Sequence, residues 1–124
     1  MAIINLTAAN FNETAEKNPI LVIDFWAPWC GPCRQFAPIY EEVAKEYPDI
    51  AFGKVNTEEE QDIAGYFRIQ SIPTVMIIRE GVIVFSQPGM LPKDALKDVI
   101  DQVLALNMDE VRAEIAKQEE NNPQ

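Results

Sequence analysis

Residues 20–36 read ILVIDFWAPWCGPCRQF, and this stretch decides the fold. Its first part, Ile20 to Trp26, is apolar on both alternating faces, as a strand covered by helices on both sides would be. Its last part opens a helix: Phe36, Tyr40, Val43 and Tyr47 recur at spacings of four, three and four and mark one buried face that ends before Pro48. Pro38 sits inside that helix, where a missing N–H predicts a kink. Between strand and helix stand Cys30 and Cys33, the only two cysteines of the chain.

Such a pair can be a structural staple, part of a metal site or a working redox couple. At 124 residues and 48% apolar the chain can build one core without disulfide support. A bridge over so short a loop would also remove little entropy from the unfolded chain. Structural zinc wants four ligands, and a chain with one CxxC and no histidine could supply them only as a dimer, so no metal is expected. The redox reading makes better use of the position. Cys30 follows a buried strand and opens a helix, which places its sulfur near unpaired backbone N–H groups and the positive end of the helix dipole. That setting lowers the thiol pKa and favours thiolate, the species that attacks a disulfide. Pro32 falls in the first turn, where its missing N–H costs nothing, and Gly31 leaves room for a partner's backbone. Cys30 is expected to face out beside Pro28 and Trp29, with Cys33 shielded one turn further in. Cys30 then attacks a substrate disulfide, and Cys33 attacks Cys30 to release the reduced product.

A formal net charge of −10 with no basic cluster argues against nucleic acid or anionic lipid as a direct partner. The first residues lack the basic start and apolar core of a secretory leader, and no run is apolar enough to span a bilayer. The expected location is therefore the cytoplasm, where thiols are kept reduced and a CxxC is more useful as chemistry than as a staple.

Along the rest of the chain, Ile3 to Leu6 reads as a short strand, and Thr7 as the cap of a helix running to Lys17 before Asn18-Pro19 stops it. Ile50 to Val55 is a second central strand, and EEEQDIAGYF from Glu58 a short acidic-capped helix. Thr74 to Ile78 and Val82 to Phe85 form a hairpin through Arg79-Glu80-Gly81, with Gly81 in the left-handed position. Leu96, Val99, Ile100, Val103 and Leu104 mark a last amphipathic helix. The order predicts an α/β fold: a central mixed sheet of four to five strands with helices on both faces, in one domain over residues 1–106. Residues 107–124 form an appendage with a frayed polar end. There Leu104, Met108, Val111 and Ile115 continue the apolar face, so the last helix either runs on, or Asn107 and Glu110 start a separate one. Met108, Val111 and Ile115 need cover, from their own domain, from a homodimer or from a docking partner.

The motifs VIDFWAPWCGPC, Lys54 in GKVN, SIPT at 71–74 and Gly89 before the last helix together resemble the thioredoxin family, over about residues 1–106. The resemblance implies a thioredoxin fold and a protein-disulfide reductase that binds no cofactor. Its dithiol would be recharged from NADPH through a thioredoxin reductase and would serve many disulfide-containing proteins. It implies that Pro73 is a cis-proline facing the cysteines, with the preceding backbone free to hold an extended substrate; a trans proline starting an edge strand is the alternative. Asp24 interrupts ILVIDFW where an apolar side chain is expected, and burial there raises a carboxyl pKa. In the family this position accepts the proton of the inner cysteine, here Cys33; an Asp pointing outward is the alternative reading. Lys54 corresponds to a lysine near that carboxylate, or is simply solvated.

Pro28, Trp29, Ile72 and Gly89 would form an apolar platform around Cys30, while Trp26 is core-facing support. Departures from the family pattern are Arg34 in place of a lysine, the appendage, and QPGML, where bulky Met90 beside Gly89 changes which proteins can dock. A thioredoxin-like interaction module or complex subunit, using its groove and acidic extension, is the rival to an enzyme. An intact CGPC with Asp24 and Pro73 favours the enzyme, and Gly-Pro between the cysteines favours reduction over oxidation or isomerisation.

Overall fold

A computed structural model describes residues 3–121. Of the polar end EENNPQ, expected to be frayed, residues 119–121 instead continue the last helix, Met108–Asn121, and the last three residues lie outside the described residues. The elements are β1 (Ile4–Asn5), α1 (Phe11–Lys17), β2 (Ile20–Trp26), α2 (Gly31–Glu46), β3 (Ala51–Asn56), α3 (Gln61–Tyr66), β4 (Thr74–Arg79), β5 (Val82–Pro88), α4 (Lys93–Ala105) and α5 (Met108–Asn121). Five strands form one mixed sheet in the order β1-β3-β2-β4-β5. β2 is central, parallel to β3 and antiparallel to β4, which is why its sequence is apolar on both faces.

Alternation along the strands divides the core in two. Val22, Phe52, Val75 and Ile77 point to one face and pack against Phe36, Tyr40 and Val43 of α2 and Leu96, Ile100 and Val103 of α4. Leu21, Ile23, Phe25, Val55 and Met76 point to the other, under Phe11 of α1 and Ile63 of α3. Asp24 shares the α2 face with Val22, in the same row of β2 that ends at Trp26. No helix among the described residues is long and apolar enough to cross a membrane.

Several local expectations are corrected. The first helix starts at Phe11, not after Thr7. The Asn10 side chain folds back to accept the Thr7 N–H at 2.8 Å, so residues 7–10 close a turn of their own before the helix begins. In the β4–β5 hairpin both Glu80 (φ 52°) and Gly81 (φ 80°) are left-handed, the two-residue geometry that matches strand twist. Pro38 lies inside α2 as expected, and Arg34, whose carbonyl it leaves without a helical partner, is exposed.

Of the two readings of the C-terminal segment, the separate helix is the observed one. α4 ends where Leu106 turns extended, and the Asn107 side chain accepts the N–H groups of Asp109 (3.0 Å) and Glu110 (3.2 Å) to start α5. Leu104, expected on the buried face, is 46% exposed because that break turns the chain before its side of the helix is covered. Met108 is buried against its own domain, Val111 is half-buried and Ile115 is exposed. The docking stripe expected over Met108, Val111 and Ile115 therefore loses its first member to the domain itself.

Candidate functional site

The site forms where β2 hands over to α2. The Cys30 N–H donates to the Ala27 carbonyl at 3.2 Å and closes a turn, which Arg34 fastens by donating to the Pro28 carbonyl at 2.8 Å. On the other side the Trp29 indole N–H donates to the Glu58 carboxylate at 2.6 Å. Cys30 is the N-cap of α2, in extended conformation, and its Sγ accepts the Cys33 N–H at 3.2 Å. A cap position normally filled by a serine or aspartate oxygen is thus filled by sulfur, which satisfies one of the orphan donors of the helix start.

The two sulfurs are joined as a disulfide, with the Cα atoms 5.2 Å apart. Cys30 was expected to face outward and Cys33 to be shielded; both are buried, at 4% and 2% exposure. Joined to Cys33, Cys30 lies in a cluster with Ala27, Trp26 and Ile72. Ile72 also brings its carbonyl to 3.8 Å from Cys30 Sγ. A disulfide sulfur carries no proton, so this is a contact; after reduction the thiol can donate along it.

The Ile72–Pro73 peptide is cis. The Pro73 carbonyl accepts the Gly89 N–H at 2.7 Å, and Gly89 holds φ +100°, a conformation in which any side chain is strained. This bond fixes the Gly89–Met90 corner beside Ile72 and Pro73. Trp29, 65% exposed, and Met90, 36% exposed, stand proud of the surrounding surface. Pro28 and Pro32 are also exposed and Gly31 is half-buried, and of the expected platform residues Ile72 packs against the cysteines.

Asp24 is fully buried, which rules out the outward-pointing reading. It is paired with Lys54 of β3 on one side and Val75 of β4 on the other, and neither of its carboxylate oxygens accepts a hydrogen bond. Burial pushes its carboxyl up to about 7, against the opposing pull of the Lys54 charge. Tyr40 lies close enough for burial and the Asp24 charge to raise its phenol, while its hydroxyl donates at 2.7 Å to the Gly53 carbonyl. The lysine does not hydrogen-bond the carboxylate it is paired with; its ammonium sits 4.8 Å from the centre of the Trp26 ring.

The thioredoxin family profile matches residues 2–102. The chain belongs to the thioredoxin family. A thioredoxin 2 of Streptomyces coelicolor is 54% identical over 116 residues, covering 94% of this chain and 87% of that protein. The thioredoxin of Bacillus subtilis is 39% identical over 106 residues, covering 84% of this chain and all of its own length. Among solved structures, the oxidised thioredoxin from Plasmodium falciparum superposes with a TM-score of 0.74 at 31% identity, over 82% of this chain and 98% of its own. Chloroplastic thioredoxin z gives 0.77 at 27% identity, over 86% and 97%. The Streptomyces match is too long to end within the thioredoxin domain and runs on into α5, whereas the whole Bacillus protein is matched by 84% of this chain.

A thioredoxin with its cysteine pair intact and joined is a thiol-disulfide oxidoreductase acting on protein disulfides. No feature of the site favours the rival reading as an interaction module. The sequence did not single out Glu58 or the cap formed by Arg79, which donates to the Val103 (2.6 Å) and Leu106 (3.0 Å) carbonyls at the end of α4. Glu58 could have been found from strand register, since it follows Asn56, the residue paired with Trp26 at the end of β2.

Proposed function

We propose that this thioredoxin works as a reductase in which Cys30 is the nucleophile, Cys33 the resolving thiol and Asp24 the buried proton acceptor. The Cys30 thiolate attacks one sulfur of a substrate disulfide, forming a mixed disulfide and releasing the other substrate sulfur as thiolate. Cys33 gives its proton to Asp24 and attacks Cys30 Sγ, which expels the second substrate sulfur and closes the Cys30–Cys33 disulfide. Two electrons have passed to the substrate, whose thiolates take up protons. The disulfide in the structure is the end state of that cycle. What carries the reading is the Cys33 N–H directed at Cys30 Sγ from the first turn of α2, because the same donor stabilises a thiolate.

Substrate would lie across Pro28, Trp29, Gly31 and Pro32 on one side and Ile72, Pro73, Gly89 and Met90 on the other. Lys54 supplies positive charge in the neighbourhood of Asp24. The dithiol is regenerated from NADPH through a thioredoxin reductase, as part of electron transport in the cytoplasm, with no cofactor bound to the chain. The domain proper spans residues 1–106 and α5 is an addition to it. Docking of a second copy or a partner on α5 falls to Val111 and Ile115, because Met108 is buried.

Reduction of insulin disulfides with dithiothreitol as electron source tests the assignment. The protein is expected to turn over, Cys30→Ser to fall to background, and Cys33→Ser to stall as a mixed disulfide. Activity that survives both substitutions contradicts the reading.

A further inference from the structure

The charge at Lys54 raises a question of placement. Lys54 and Asp24 are Cα partners across β2 and β3, and their neighbours Phe52 and Val22 both face α2, so both side chains leave the sheet on the same side. An ammonium starting opposite a buried carboxylate has a direct partner available, yet both Asp24 oxygens are left without a hydrogen bond. Instead the lysine leans one step along the strand. Its partner there is Trp26, two residues beyond Asp24 in the same row of β2, and the ammonium lies 4.8 Å from the ring centre, well within cation–π range. Trp26 itself packs against the cluster of Ala27, Cys30 and Cys33, together with Ile72. Its indole N–H is buried and has no partner, so the ring is placed by packing and not by a hydrogen bond.

We propose that Trp26 is a positioning residue for the reaction: its ring holds the Lys54 ammonium away from the Asp24 carboxyl and so leaves that carboxyl free to exchange a proton with the cysteine pair. This rests on the proton-acceptor role given to Asp24 above and adds the element that protects it. A lysine released from the ring would pair with the carboxylate and favour its charged form, making it a weaker proton acceptor. The groups around Asp24 are few. Lys54 comes from β3 and Tyr40 from α2, with its hydroxyl committed to the Gly53 carbonyl; Val75 of β4 is apolar, and Cys33 of α2 lies in the cluster that Trp26 covers. Among the described residues Lys54 is thus the charged group whose position sets the balance.

The test is the pH titration of the Asp24 carboxyl carbon by NMR in the oxidised protein, with Asp24→Asn to assign the signal. Trp26→Leu removes the ring face and is expected to raise the Asp24 acid-dissociation constant about tenfold, with Trp26→Phe giving a smaller change in the same direction. In a Lys54→Met background the same Trp26 substitutions are expected to leave the titration nearly unmoved. An equal shift with and without Lys54 would mean that the ring only excludes water, and it overturns the proposal, as does no shift at all. If the substitutions unfold the protein, wild type still decides. The Lys54 side-chain protons next to the ammonium must show an upfield ring-current shift, and ordinary lysine positions for them refute the contact. None of these readouts depends on turnover, so a failure here is separate from a failure of Asp24→Asn to slow insulin reduction.

Discussion

The head of α2 and the junction of α4 with α5 face the same problem and solve it with different chemistry. At the start of α2 the orphan N–H of Cys33 is satisfied by the sulfur of Cys30. At the junction of α4 and α5, the last carbonyls of α4 are satisfied by the Arg79 guanidinium and the first N–H groups of α5 by the Asn107 side chain. Arg79 and Asn107 are inert, so that junction is a permanent joint. In the proposed cycle Cys30 is the nucleophile and changes partner and charge, so the identical backbone requirement becomes a means of stabilising thiolate. A helix terminus becomes a reactive site only when the group that caps it can also leave.

The strongest way to break this contrast is to remove what serves the reactive end without touching the cap. Asp24 carries a carboxyl raised to about 7 from an ordinary 3.8, so its charged form is penalised in the folded state. The penalty is absent below pH 3.8, grows as pH rises through that interval, and is complete above about 7. Its full size is about 4 kcal/mol, reduced in an Asn variant by the cost of an unpaired buried amide. Asp24→Asn is therefore expected to gain stability over wild type at pH 8, with the gain shrinking toward pH 4 in urea titrations, while insulin reduction slows by about a hundredfold. A stability difference that does not change with pH would contradict the buried-carboxyl account.

The inert junction should behave in the opposite way. Arg79→Met leaves the terminal carbonyls of α4 unpaired and is expected to cost about 1–3 kcal/mol in stability, with insulin reduction under native conditions unchanged. Smaller still, Asn107→Ala removes one cap and is expected to cost about 1 kcal/mol, read as a lower unfolding midpoint with no change in turnover. Loss of reductase rate in either variant, at temperatures where both are folded, would show that the two ends are not independent.

How much of this was legible in the sequence follows from the range of each interaction. Ile20 to Trp26 betrays its central position because a strand covered on both faces has no polar row, and Asp24 stands out against that background. The period of Phe36, Tyr40 and Val43 shows the buried face of α2 for the same reason. Contacts that join distant segments leave no such pattern. Arg79 reaches Val103 and Trp29 reaches Glu58 through single side chains, and Lys54 chooses Trp26 over Asp24 by packing detail. Thr7 failed as a cap because an equally good side chain three residues on, Asn10, closed a turn first. Even the continuity of α4 and α5 depended on two residues, since the apolar spacing fits both an unbroken helix and the observed break at Leu106 and Asn107.

The most direct measurement is the pH dependence of Cys30 alkylation in the reduced protein, with Cys33→Ser as a single-thiol control. Sulfur at the head of α2 is predicted to react through a midpoint clearly below that of a free cysteine, and well before Cys33 is modified in wild type. A midpoint at or above that of free cysteine would contradict the claim that the helix start makes this sulfur the nucleophile.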